Sequence, residues 1–262
     1  MQFYGDYHTH SRCSDGRQNC REIIHAAQEK GLREIAITDH GPLVAVIGVD
    51  SPETYLQLKE KVQSLPLDDG YPRVYVGAEA NIRDMNGTLD IPPDVTDQLD
   101  ILIAGLHPYT MPTSWQDGCQ LFAQNSLRHL GRKHREKAVN NNTKATVETL
   151  YQNPRVDILA HPGLFFKVDV EEVARACVDN EVLFEINCGH EHPSLSDIMK
   201  AERSGVDFIV NSDAHFQETV GSLDYGDKTL GRLDLDEDRI VNRASGGGFK
   251  KWGKRDKDCT YS

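Results

Sequence analysis

Short apolar runs recur along the chain, each separated from the next by a polar stretch with helical spacing. They are FYGDYH (3–8), EIAIT (34–38), RVYVGAE (73–79), DILIAG (100–105), VDILA (156–160), VLFEIN (182–187) and VDFIVN (206–211). Their length and bounds predict strands. Between them the pattern predicts a helix opening near Asn19, with Glu22 placed to complete a capping box. Further helices are expected over 52–65, 170–180 and 194–204, and a long polar one over roughly 115–151. Asn86-Gly87, between two short strand-like segments, predicts a hairpin inserted after the third strand. Strand alternating with helix predicts a parallel sheet joined by right-handed crossovers. Seven such strands are too many for a small doubly wound sheet and one short of an eight-stranded barrel. After residue 243 the composition turns to glycine and lysine (SGGGFKKWGKRDKDCTYS), which predicts one domain over 1–243 and a flexible tail over 244–262.

Composition narrows the class. The chain has 262 residues, 27% charged and 38% hydrophobic, which suits one large α/β domain and excludes a membrane-embedded or broadly disordered protein. No apolar run approaches the roughly 20 residues of a spanning helix. MQFYGDYHTH lacks a basic region followed by an apolar one, so no leader is expected. Cysteines stand at 13, 20, 119, 177, 188 and 259 without CxxC spacing, which reads as reduced thiols of a cytoplasmic protein. A net charge of −12 disfavours a general nucleic-acid surface. It does not decide the substrate, and nothing in the sequence speaks to oligomeric state.

The residues that follow the strands carry the chemistry. After the first come His8, His10 and Asp15; the second ends in Asp39-His40 and the third in Glu79. His107 follows the fourth, His161 the fifth, and Asp213-x-His215 the seventh. Parallel strands of a barrel all end at one mouth, so these groups converge although they are scattered in sequence. Polar residues that merely favoured strand ends would be a mixture of Ser, Asn, Lys and Thr. Without Asp39 these are nine imidazoles and carboxylates, which exceed the four ligands of a tetrahedral zinc and suffice for two or three metals sharing a carboxylate. His190 and His192 follow the sixth strand and are candidates for touching substrate, whereas His25, His129 and His134 read as structural or solvated. Cys13 lies in the ligand loop without a base beside it and reads as a small filler.

The motifs HTH with SDG, TDHG (38–41), GAEANI (77–82), GLHP (105–108), AHPG (160–163), EIN (185–187) and NSDAH (211–215) stand in the order of one family. Over residues 4 to about 243 the chain resembles the PHP (polymerase and histidinol phosphatase) superfamily, and most closely its stand-alone bacterial phosphatase branch. The resemblance implies a distorted (β/α)7 TIM-like barrel with a trinuclear metal centre that hydrolyses a small phosphorylated metabolite through metal-activated water. It implies a first metal on His8, His10, Glu79 and Asp213. A second would sit on Glu79, His107 and His161, and a third on Asp15, His40 and His215, with Glu79, Asp213 and His215 catalytic. The branch often has histidine at the Asp15 position, and a short helix closing the barrel where this chain has its glycine-rich tail. Imidazoles favour zinc; manganese or iron suits the carboxylates. Asp6 and Asp39 are placed either to orient imidazoles or to cap turns, and Arg12, Arg83 and Lys167 are candidates for gripping phosphate alongside His190. Histidinol phosphate is a substrate suggested by the family name alone. The competing readings are an amidohydrolase, whose metals are commonly bridged by a modified lysine where this chain has Glu79, and a PHP-type nuclease or polymerase-accessory phosphodiesterase, which the acidic chain disfavours.

Overall fold

Each apolar run becomes a strand, and all seven are parallel in sequential order. The computed structural model, which describes residues 1–233 and 235–254, places β1 at Gly5–Asp6, β2 at Glu34–Ile37, β3 at Arg73–Asn81 and β4 at Ile101–Gly105. Strands β5 (Ile158–Leu159), β6 (Leu183–Asn187) and β7 (Phe208–Asn211) complete the sheet. It curls into a nearly closed barrel, a single domain with helices outside. Alternation sorts the side chains of each strand. Leu102 and Ala104 of β4 join the layer under the helices, whereas Ile101 and Ile103 join an interior cluster with Ile158, Leu183 and Ile209. Ala78 and Ala80, like Phe184 and Ile186, also face the helices. Glu79 and Glu185 between them therefore point into the barrel.

The first strand is shorter than expected because its ladder stops at residue 7, whose amide donates to the Asn211 side chain (3.0 Å) instead of a backbone carbonyl. The same bond helps close the barrel between β7 and β1, with His10 N donating to Ala214 O at 2.9 Å. Asn19 caps its helix (Cys20–Glu29) by the expected reciprocal box. The hairpin also forms, reduced to one bridge between Ile82 and Leu89 with Gly87 at φ 80°.

Two expectations are corrected. The long helix over 115–151 is broken: a π turn occupies Gly118–Ala123, and the main helix, Arg132–Gln152, begins only after Gly131 at φ 125°, ψ 175°. That backbone is open to glycine alone and cannot continue a helix. The tail is not flexible over its described part. Phe249–Trp252 forms a short helix whose Phe249, 3% exposed, joins the interior cluster. Its amide donates to Glu34 Oε2 (2.7 Å), and Trp252 packs edge-on to Tyr7 with ring centroids 5.0 Å apart. An aromatic pair amid glycines and lysines thus plugs the end of the barrel opposite the mouth. Residues 255–262, also assigned to the tail, lie outside the described residues. Among the described residues no helix is long and apolar enough to cross a membrane.

Candidate metal centre

The strand ends bring the nine groups together around Glu79, which is fully buried. One of its oxygens, Oε2, lies 3.3 Å from His8 Nε2, 3.6 Å from His10 Nε2 and 2.8 Å from His40 Nδ1. Asp213 Oδ1 faces the same two imidazoles, 3.5 Å from His8 Nε2 and 3.0 Å from His10 Nε2. The other oxygen, Oε1, lies 2.9 Å from His161 Nε2 and 3.3 Å from His107 Nε2, and these two nitrogens are 3.2 Å apart. Nearer the surface, Asp15 Oδ1 is 3.3 Å from His215 Nε2, 3.8 Å from His40 Nε2 and 4.0 Å from His10 Nδ1. The groups overlap more than the resemblance implied. His10 and His40 each turn one nitrogen towards Asp15 and the other inwards.

Could these side chains hold cations? His8 Nε2, both His10 nitrogens, Asp15 Oδ1, His40 Nδ1, Glu79 Oε2 and Asp213 Oδ1 are buried and have no hydrogen-bond partner. The 2.8 Å approach of His40 Nδ1 to Glu79 Oε2 thus lacks hydrogen-bond geometry. Buried polar atoms without partners are rare and cost about 1–3 kcal/mol each. A divalent cation among them would satisfy several at once. Imidazole with carboxylate is a donor set that fits that role. At His8 and His161 burial opposes protonation but the surrounding carboxylates raise the imidazole, whereas His10 and His107 are held neutral. Burial, reinforced by the neighbouring His40, lowers the His10 imidazole to about 3, and burial lowers His107 to about 4, which favours the neutral ligand form of both. Burial alone would raise the Glu79 carboxyl, but His107, His8 and His40 outweigh it and hold it well below the usual carboxylate range. At the rim burial opposes protonation of His215, yet Asp15 and Asp213 raise it to about 9.

A second layer of side chains, unnoticed in the sequence, aims the first. Glu185 Oε1 accepts from His8 Nδ1 (2.7 Å) and Asn211 Nδ2 (2.9 Å), while Oε2 accepts from His161 N (2.8 Å) and Asn187 Nδ2 (3.1 Å). Asn81 Oδ1 meets His107 Nδ1 at 2.8 Å, and its amide group donates to Asp90 (2.6 Å). The signal that would have found Glu185 is its parity: a charge flanked by two helix-facing apolar residues must enter the barrel. Asp6 and Asp39 tie loops instead of imidazoles. Asp6 accepts from the amides of Ser212 (3.0 Å) and Gly221 (2.9 Å), and Asp39 from Ser11 N (2.6 Å) and Ser14 Oγ (2.5 Å). His161 and Asp213 hold positive φ, 28° and 54°, a strained backbone for residues other than glycine.

The mouth is a pocket of ≈ 490 Å³ whose lining includes His40, His107, His161, Asp213 and His215. His190 also lines it, its Nε2 3.5 Å from Asp213 Oδ2. The cations expected to grip phosphate are not gathered here. Arg12 turns towards the first helix, its Nε donating to Arg17 O (3.0 Å) and its Nη2 3.8 Å from Glu22. Arg83 Nε donates to Met111 O (2.9 Å). Lys167 lines a separate cavity with His192, whose Nε2 meets Pro162 O at 2.9 Å. Cys13 is half-buried, and burial raises its thiol, consistent with a filler.

Curated relatives resemble the chain along nearly its whole length. A protein of Shewanella piezotolerans named "Probable phosphatase" is 28% identical over 255 residues, covering 93% of this chain and 91% of its own. One of the same name from Acetivibrio thermocellus is 29% identical over 267 residues, covering 98% of each. Among solved structures, the histidinol phosphate phosphatase of Lactococcus lactis, complexed with zinc, L-histidinol and phosphate, superposes with a TM-score of 0.65 over 90% of this chain and 95% of that one, at 18% identity. That likeness shows a shared fold. The family model of the PHP domain matches residues 6–187, a span that holds seven of the nine converging groups, and the chain belongs to the PHP domain family.

Proposed function

We propose that the protein is a metal-dependent phosphatase that hydrolyses a small phosphate monoester at a centre of two to three divalent metals. The observation that carries this reading is the set of buried, unpartnered nitrogen and oxygen atoms converging on Glu79 and Asp213. Its phosphatase character is supported by the relatives' names. The first metal would be held by His8, His10, Glu79 and Asp213, the second by Glu79, His107 and His161, and the third by Asp15, His40 and His215. Bound cations would neutralise phosphate charge and make water acidic enough to serve as nucleophile near neutral pH. Zinc suits the imidazoles, and manganese or iron the Asp15 set.

The chain's own residues do the rest. Glu79 turns one carboxylate oxygen to each inner group, so a single negative charge serves both. Glu185 accepts the Nδ1 proton of His8 and Asn81 that of His107, which leaves each Nε2 lone pair facing the centre. Asn187 holds Asp213 through Oδ2 (3.0 Å), keeping Oδ1 turned to the imidazoles. His190 presents its ring where an ester would enter and is the proposed substrate contact. Because the described lining of the mouth has neither Arg nor Lys, the phosphate is recognised by imidazoles and metals rather than by a basic clamp. Histidinol phosphate belongs to this substrate class. The amidohydrolase reading is not favoured, since the shared position is glutamate and among the described residues no lysine lines the mouth. The test is a screen of phosphate monoesters, phosphodiesters and amides against metal-stripped protein with zinc, manganese or iron added back. Metal-restored hydrolysis of monoesters is expected, and activity confined to diesters or amides would overturn the proposal.

A further inference from the structure

Beside the mouth lies a larger cleft of ≈ 940 Å³, and Phe165 lines both. The Phe165 ring centroid is 5.6 Å from that of His107, 5.5 Å from His161 and 5.8 Å from His190. The cleft therefore adjoins the candidate centre at Phe165. Its walls carry Tyr109, Met111, Trp115 and Phe122. Tyr109 is 80% exposed, Met111 60% and Trp115 88%. Apolar groups left in water at that level, clustered on one face, mark a binding surface. Among the described residues the lining has one charged side chain, Arg128, and no carboxylate.

The walls are held in place. Ala45 N donates to Tyr109 O (3.2 Å) and Met111 N to Leu43 O (2.7 Å), which staples this loop to the one after His40. The Arg83 guanidinium secures Met111 O from a third side, so this cation builds the cleft wall. Tyr109 holds a left-handed backbone, φ 66°. The π turn, a feature frequent at functional sites, supplies Cys119 and Phe122 to the lining.

We infer that this cleft receives the organic part of the phosphate ester, and that this part is an aromatic, apolar body of small-molecule size without a cationic group at its far end. The inference rests on the phosphatase reading of the adjoining mouth. The mouth holds the candidate centre and so the phosphoryl group, while the adjoining cleft of ≈ 940 Å³ has the volume of a small-molecule site. Tyr109, Trp115 and Phe122 offer faces for ring stacking. An ammonium group lodged in the cleft would find no acid there, whereas an anionic substituent would find Arg128. Aminoalkyl phosphates, histidinol phosphate among them, are thus the poorer substrates.

The test compares propyl phosphate with 3-(1-naphthyl)propyl phosphate, which share a primary alkoxide leaving group, on metal-loaded protein. The naphthyl ester should have a kcat/KM about 10- to 100-fold higher, chiefly through KM, as burial of one large apolar group provides. Trp115→Ala should reduce that ratio about tenfold. Thermal unfolding of the variant checks that it is folded, as an exposed side chain permits. Equal kcat/KM on the two esters, or a preference for histidinol phosphate over the naphthyl ester, would overturn the inference and leave the phosphatase reading standing. Hydrolysis of none of the three would remove both. If Trp115→Ala weakened self-association in sedimentation and left the ratio intact, the cleft would be an interface between copies and the inference would fail.

Discussion

Glu185→Gln is nearly isosteric, yet the structure leaves the new amide no comfortable orientation. Both carboxylate oxygens of Glu185 face donors only: His8 Nδ1 and Asn211 Nδ2 on one side, His161 N and Asn187 Nδ2 on the other. Neither asparagine is free to turn its amide. Asn211 Oδ1 already accepts from Tyr7 N, and Asn187 Oδ1 from His190 N. The backbone N–H of His161 cannot turn at all. The glutamine NH2 will therefore face His8, the one partner that can become an acceptor, by moving its proton from Nδ1 to Nε2. That proton then occupies the atom proposed to bind metal. Loss of such a partner typically weakens metal affinity about 10- to 100-fold, ~1.4 to 2.8 kcal/mol. The unrelieved clash with Asn211 should cost about 1–3 kcal/mol of folding stability. Competition with a chromophoric chelator measures the first, and urea unfolding of the metal-stripped protein the second. Unchanged zinc affinity in the variant would refute the tautomer argument, whatever happened to stability.

Other perturbations address the rest of the centre and the fold. Glu79→Gln removes the one charge shared by both inner groups; turnover should fall by at least about 1,000-fold, ~4 kcal/mol, with metal content reduced in elemental analysis, and near wild-type values of both would place the bridge elsewhere. Asp15→Ala should lower kcat more for alkyl phosphates than for aryl phosphates if the outer set assists the leaving group; an equal loss on both, with metal retained, counts against that role. Phe249→Ala deletes a ring packed against Tyr75 (centroids 4.8 Å apart) and Trp252, and should cost about 3–5 kcal/mol in urea unfolding, whereas a loss below about 1 kcal/mol would mean that the tail helix contributes little to closure.

The ligand-type residues were legible because their positions follow from one repeated fact. Strand and helix alternate, and parallel strands all end on the same side. His107 and His161 are 54 residues apart, yet each sits just past a strand, and this alone predicts that they meet. What periodicity could not convey was contact made by single side chains across the barrel. Arg12 and Arg83 followed strands as the histidines did, but a long flexible side chain can turn to whichever carbonyl or carboxylate is nearest, and both turned away from the mouth. Asn81 and Asn187 looked like ordinary strand ends, although each orients another residue by one hydrogen bond. The break at Gly131 was hidden by the polar residues on either side, which continue a helical pattern regardless. Phe249 and Trp252 were masked in a different way: lysine and glycine dominated the local composition, and two aromatic rings outweighed them in the fold.

The ties that hold β1 bear on how the molecule folds. Asn242 Nδ2 donates to Gly5 O across 237 residues, Tyr4 N donates to Asn242 O, and Tyr7 N reaches Asn211. The two-residue ladder to β2 is a short hold on register, so these distant residues add much of what places the strand. His8 and His10 leave that strand, so the placing of these two ligands depends on residues more than two hundred positions away. The centre thus depends on contacts of very long range, and such contacts make folding slow.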